Sequence, residues 1–263
     1  MVALTSKTFG DVAAAVSEFV GTAEIGRPPN NFFDAALIGS LADAYEWLDE
    51  QGARAIVLCS SGKNFCAGAD FTGRSTANRI GSDGGASELY AQALRLFQAP
   101  LPVVAAVQGA AVGGGLGLAC AADFRVASPQ SRFSANFAMI GLHHGFGLTV
   151  TLPAVAGQQR ATELLYTGRR ISGEEAVRIG LADLLADADT LREAARELAA
   201  EIAAAAPLAV RAIRATMREG LADRIRAATA RELGEQRKLW PTADFAEGVK
   251  AAAERRRPRF AGQ

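Results

Sequence analysis

Up to Asp189, short β-branched runs alternate with longer amphipathic patterns, and this alternation restricts the fold more than any other feature of the chain. "VSEFVGTAEI" reads as a strand, "DAALIGSLADAYEWLDEQ" as a helix, "ARAIVLCSS" as a strand, "ASELYAQALRLF" as a helix and "LPVVAAVQG" as a strand. A helix, the strand "FRVAS", a glycine-rich loop and the strand-like "GLADLL" follow. Such βαβ order predicts an α/β fold, a mostly parallel sheet with helices on its faces. From Thr190 the pattern is helical only, rich in Ala, Leu, Glu and Arg and broken by Pro207 and Pro241. A core over residues 1–189 and a helical region over 190–263 are therefore expected.

At 263 residues, 49% of them hydrophobic, the chain is long and apolar enough to bury a full core. Basic and acidic residues balance at 28 each, so no summed field argues for a nucleic-acid groove or an anionic membrane. The local exception is Arg255, Arg256, Arg257 and Arg259. Cys59, Cys66 and Cys120 make neither a disulfide framework nor a C-x-x-C zinc pair, so no metal is expected and a reducing cytoplasm fits. The opening "MVALTSKTFGD" lacks a basic region followed by an apolar run, so export is not expected, and no run reaches the roughly 18 to 20 apolar residues of a membrane span.

Within "AAVQGAAVGGGLGLACAAD", residues 105–123, the glycines Gly113, Gly114 and Gly115 stand between a strand and a helix. They put unpaired amides at the positive end of a helix dipole with no side chains in the way, a place to hold an oxyanion or a phosphate. The spacing is not the G-x-G-x-x-G of a dinucleotide fold, no Walker lysine follows, and no G-x-S-x-G elbow occurs. Close helix–strand packing without a ligand is the other reading of these glycines. A long polar glycine-rich segment, residues 72–87, reads as either a lid or a solvated surface loop.

"GKNFCAGADF", residues 62–71, together with "PVVAAVQGAAVGGGLGLACAAD", resembles the crotonase superfamily, the enoyl-CoA hydratase/isomerase family. "GRPPN", "RFSANFAMIGLHHGFGLTVTLPAVAG", "ATELLYTGRRISGEEAVRIGLAD" and "DFAEGVKAAAERRRPRF" extend the resemblance over almost the whole chain. It implies a spiral of ββα repeats, a C-terminal helical region that packs at a trimer interface, and a homotrimer or hexamer. It implies an acyl-CoA substrate rather than a permanently bound cofactor. The amides of Ala69 and Gly114 match the donors that hold the thioester oxygen and stabilise an enolate. Cys66 and Ala67 match the loop that passes along adenine and pantetheine, with Phe71 after them, and Arg256 and Arg257 match the basic segment that approaches the CoA phosphates. Asp70 and Asp123 are expected to serve structure.

The acid positions are empty. Gly117 and Phe137 stand where family hydratases carry their glutamates, and Gly145 stands where a related isomerase group places its acid. Hydration by a glutamate pair is therefore not expected, and Phe137 and Leu142 should make an apolar wall. The only histidines, His143 and His144, fall in the pocket-bordering loop "GLHHGFG" and become candidate proton carriers, set against caps or solvent-facing rings. Tyr90 is either a pocket residue or core beside Leu94 and Phe97, and Glu88 and Asp83 are further candidates beside the polar loop. Three readings stay open: an enolate-forming acyl-CoA enzyme acting by hydration, isomerisation, decarboxylation or hydrolysis, a silent acyl-CoA binder, or an assembly subunit.

Overall fold

The computed structural model describes residues 5–70 and 83–263. Strand β1 (Thr5–Phe9) pairs antiparallel with β2 (Val12–Ser17), and β2 with β3 (Val20–Ile25). "VSEFVGTAEI" thus holds a turn and two strands' worth of backbone rather than one strand. Glu18 and Phe19 both take positive φ, 52° and 66°, as a two-residue hairpin turn requires to match the strand twist. Neither is the Asn or Gly by which such a turn is read from sequence.

Helix α1 (Ala35–Glu50) starts at Asp34, whose carboxylate accepts from the Leu37 amide, and buries Leu37, Ile38, Leu41, Tyr45 and Leu48. Then come β4 (Ala55–Ser60), α2 (Asp83–Gln98), β5 (Val103–Val107), the short β6 (Ala110–Val112), α3 (Gly114–Ala121), β7 (Phe124–Ala127) and β8 (Arg132–Ser134). A 3-10 turn at Ala138–Ile140 leads to α4 (Leu148–Ala156) and α5 (Gln158–Thr167). They are followed by β9 (Ile171–Ser172), α6 (Gly173–Arg178) and β10 (Leu184–Leu185), to which "GLADLL" contributes only its last two residues. The main sheet runs β1-β2-β3-β4-β5-β7-β10 and is parallel from β3 onward, while β6, β8 and β9 form a second, smaller sheet. The mixed α/β class read from the sequence is the class observed. β4 and β5 are buried along their whole length, as strands covered on both faces must be.

Four helices close the chain: α7 (Leu191–Ala204), α8 (Pro207–Met217), α9 (Leu221–Leu239) and α10 (Ala243–Ala253). Leu191, Ala195, Ala199 and Ala203 of α7 recur at helical spacing and pack on Val57, Cys59, Val104, Ala106 and Val126, completing the second face of the sheet. α8 buries no residue, and Leu208, Ile213 and Met217 are 82%, 63% and 78% exposed. Asp123 joins α8 to the sheet, accepting from the Val103 amide at 2.8 Å, Arg214 at 3.0 Å and Arg218 at 2.7 Å. It is a structural carboxylate. α9 packs against α2 and α4, and α10 against the 3-10 turn. That last contact is close, since a Cβ on Gly248 would stand 2.5 Å from the Ile140 carbonyl carbon. Among the described residues no helix is long and apolar enough to cross a membrane.

Candidate active site

The strand β4 ends at Ser60, and the chain then turns back so that Cys66 pairs with Ala111 in a parallel bridge. The Cys66 amide donates to the Ala110 carbonyl at 2.9 Å and the Val112 amide to the Cys66 carbonyl at 3.0 Å. These bonds seat residues 66–70 beside the N-terminus of α3. The fit requires glycine twice. Gly68 has φ +84°, and a Cβ there would meet the Val112 carbonyl oxygen at 2.7 Å. On Gly115 it would reach the Cys66 oxygen at 2.0 Å. The amides of Ala69 and Gly114, on the two abutting segments, donate to no acceptor among the described residues. They open on one cavity of about 230 Å³, lined by both residues and by Gly68, Gly113 and Ala67.

The rest of the lining is mostly apolar: Phe33, Phe137, Ile140, Leu142, Phe146 and Val249. Each acid position is closed as well as empty. A Cβ on Gly117 would lie 2.6 Å from the Phe146 Cβ, so a phenylalanine fills the space of any side chain there. Phe137 presents its ring. A Cβ on Gly145 would lie 2.1 Å from the Tyr90 hydroxyl oxygen and 2.7 Å from Gln236 Nε2. A phenol and a carboxamide therefore stand where an acid at 145 would begin.

Tyr90 donates to Gln236 Oε1 at 3.1 Å, and Gln236 Nε2 donates to the carbonyls of His143 and His144 at 3.1 and 3.3 Å. Burial pushes the Tyr90 phenol well above its ordinary range, with Glu232 adding to the shift, so it is neutral at physiological pH. Asn136 and Asp70 also line the cavity, Asp70 being buried and engaged in an interaction of its own. Burial holds the Cys66 thiol up at about 12, and only its backbone serves the loop.

Neither His143 nor His144 is among the described residues that line the cavity. Their rings stack at 4.1 Å. His143 Nδ1 lies 2.8 Å from the His144 carbonyl, and His144 Nε2 lies 2.8 Å from the Thr149 hydroxyl. Burial, and then the neighbouring His143, lower the pKa of His144 to about 4. Arg256 is tied to Glu247 at 2.6 Å and to Glu254 at 2.6 Å, and Arg257 is exposed. Glu88 is exposed, and Phe71 and residues 72–82 lie outside the described residues. No cluster that could hold a metal ion occurs among the described residues.

The sequence matches the profile of the Enoyl-CoA hydratase/isomerase family over residues 16–263. The chain belongs to the enoyl-CoA hydratase/isomerase family. A probable enoyl-CoA hydratase of Rhodobacter capsulatus is 36% identical over 251 residues, covering 94% of this chain and 96% of that protein. A probable enoyl-CoA hydratase of Mycobacterium tuberculosis is 40% identical over 207 residues, covering 76% and 80%. The crystal structure of an enoyl-CoA hydratase/isomerase from Pseudoalteromonas atlantica superposes with a TM-score of 0.84 at 28% identity, covering 95% of this chain and all of that one. The crotonase fold expected from the sequence is thus the fold of its structural relatives, and this family acts on CoA thioesters.

Gln236 and Asn136 line the cavity, and the sequence alone did not point to either. A search for carboxylates and imidazoles passes over carboxamides. Gln236 lies far along the chain on α9, where its helical pattern marks only a buried face.

Proposed function

We propose that the cavity binds an acyl-CoA with its thioester oxygen between the Ala69 and Gly114 amides, and that these amides stabilise an enolate of the thioester. The observation that carries this reading is the pair of unspent main-chain donors that the Cys66–Ala111 bridge brings to one apolar cavity. Donors held rigidly in a water-poor site are effective because they need no reorganisation as charge develops on oxygen. The dipole of α3 adds to the field at Gly114.

Hydration by a glutamate pair is not part of this reading, because Phe146 fills the space beside Gly117 and Phe137 stands at the second position. Nor are the histidines its proton carriers on this reading, since neither lines the cavity, His143 is bonded to the His144 carbonyl and His144 to the Thr149 hydroxyl of α4. On this reading Tyr90, a neutral phenol at the cavity wall, donates a proton to the enolate by turning its hydroxyl hydrogen away from Gln236. Ala252 and Ala253 carry the cavity toward the arginines that follow α10, which supports a CoA phosphate contact by Arg257. The exposed Leu208, Ile213 and Met217 of α8 support self-association of the trimer type.

The test is vibrational. The carbonyl band of an acyl-CoA labelled with ¹³C at the thioester shifts to lower frequency on binding if two donors polarise it. Replacing the thioester by the thioether, which has no carbonyl oxygen, should weaken binding by roughly tenfold or more. An unshifted band together with equal affinities refutes the assignment.

A further inference from the structure

Gln236 joins three elements at the cavity wall. It is only 4% exposed on α9, and it lines the cavity together with Tyr90 of α2 and with Gly145 and Phe146 of the loop before α4. Its Nε2 donates to the carbonyls of His143 and His144 at 3.1 and 3.3 Å, and its Oε1 accepts from the Tyr90 hydroxyl at 3.1 Å. These bonds leave the carboxamide one orientation. Carbonyl oxygens only accept, so a flipped amide would set Oε1 against two of them and leave both without a donor. The loop that carries those carbonyls is itself held one helical turn away, where Glu232 accepts from the amides of Gly147 and Thr149.

The fixed carboxamide decides what the phenol can offer. Facing an oxygen that cannot donate, Tyr90 commits its single hydroxyl hydrogen to Gln236, and the cavity meets the phenol without it. A neutral thioester oxygen is no better an acceptor than a carboxamide oxygen, and taking the hydrogen would leave the buried Gln236 Oε1 without a partner. An enolate oxygen is charged, and a charge-assisted hydrogen bond is roughly twice as strong as a neutral one. Gln236 therefore keeps the hydrogen against a neutral ligand and loses it to an enolate.

We infer that Gln236 is a positioning residue that holds the Tyr90 hydroxyl hydrogen away from the bound neutral thioester and yields it only as enolate charge develops. The inference rests on the thioester reading above. It makes the phenol a group that stabilises the enolate and adds nothing to the binding of the neutral ligand, which is the condition under which an interaction speeds a reaction.

Two ligands test it: butyryl-CoA, whose acyl group stays neutral, titrated by calorimetry, and 3-oxobutyryl-CoA, which ionises to an enolate with its own ultraviolet absorbance, titrated with pH while bound. Tyr90→Phe should leave butyryl-CoA affinity within about twofold of wild type, yet raise the ionisation of bound 3-oxobutyryl-CoA by about one pH unit, a tenfold loss of preference for the enolate. Gln236→Met frees the phenol to serve either form, so it should strengthen butyryl-CoA binding by about tenfold, and the gain should vanish when it is combined with Tyr90→Phe. A residue that merely shapes the wall would weaken binding in both backgrounds. If the methionine variant does not fold, Tyr90→Phe decides alone, because a phenol free of Gln236 would serve both ligands. The inference is overturned if Tyr90→Phe weakens butyryl-CoA or leaves the ionisation unmoved, or if Gln236→Met fails to strengthen butyryl-CoA or does so without the phenol. Each of these results leaves the thioester reading intact, whereas a wild type that binds neither ligand overturns both.

Discussion

Glu232, the one fully buried glutamate among the described residues, is expected to hold the cavity wall in place rather than to move protons. It lies on α9 with no exposed surface and accepts from the Gly147 amide at 2.9 Å, the Thr149 amide at 3.1 Å and the Thr149 hydroxyl at 2.6 Å. Gly147 precedes α4 and has no side chain to cap it, so a carboxylate from a distant helix does so, favoured by the helix dipole. Glu232→Ala strands the buried Gly147 amide away from water, whereas the amide and hydroxyl of the exposed Thr149 can turn to solvent. Hydrogen bonds to a charged partner contribute about 1.5–3 kcal/mol each, and the terms overlap because the donors share one carboxylate. The net loss should be about 1–3 kcal/mol, set mainly by the Gly147 amide, against the roughly 5–15 kcal/mol of a typical domain. Glu232→Gln, which keeps an acceptor but not the charge, should lose about 1–2 kcal/mol. Urea unfolding at constant m measures both. Butyryl-CoA affinity should fall with stability, because the same loop carries Gly145 and Phe146 into the cavity lining. An alanine variant within about 0.5 kcal/mol of wild type would refute the capping role.

Gly117→Glu should fail to create a hydratase. With Phe146 2.6 Å from the new Cβ, the substitution should cost about 1–3 kcal/mol by overpacking, and loss of the enoyl absorbance of crotonyl-CoA should stay at background. His144 gives a pH prediction. Its pKa falls from 6.5 to about 4 on folding, so below 6.5 the unfolded chain takes up a proton that the folded chain does not. Stability should therefore be full above that range and decline by about 3 kcal/mol as the pH falls to about 4, and His144→Gln should flatten this limb in urea titrations across pH.

The parts of the site that were legible in the sequence are those built from local backbone. The strand before Gly113, the helix after it and the loop at residues 66–70 each have a signature in consecutive residues, and the structure brings them together through one bridge. The parts that were not legible depend on closure of the chain. Gln236 reaches the cavity because α9 lies on α2 and α4, and Val249 because α10 lies on the 3-10 turn. An amphipathic pattern states that a face is buried but not what it meets. The same limit applies to the acid positions: reading Gly117 and Gly145 revealed missing carboxylates, whereas only the coordinates reveal that Phe146 and Tyr90 have taken their space. The hairpin at Glu18–Phe19 was hidden for a local reason, because non-glycine residues adopt left-handed backbone there.

Because the unspent donors at residues 69 and 114 belong to the main chain, a side-chain scan cannot delete either of them. Trimming Ala69 to glycine leaves its N–H in place, and at Gly114 there is no side chain to trim. Enlarging Gly114 acts by collision instead, since a Cβ would come within 2.2 Å of the Phe33 ring. Alanine scanning would therefore map the apolar cavity wall and the helix contacts while remaining blind to the two amides. Only changes to the backbone itself, such as an amide-to-ester replacement at either position, would register it.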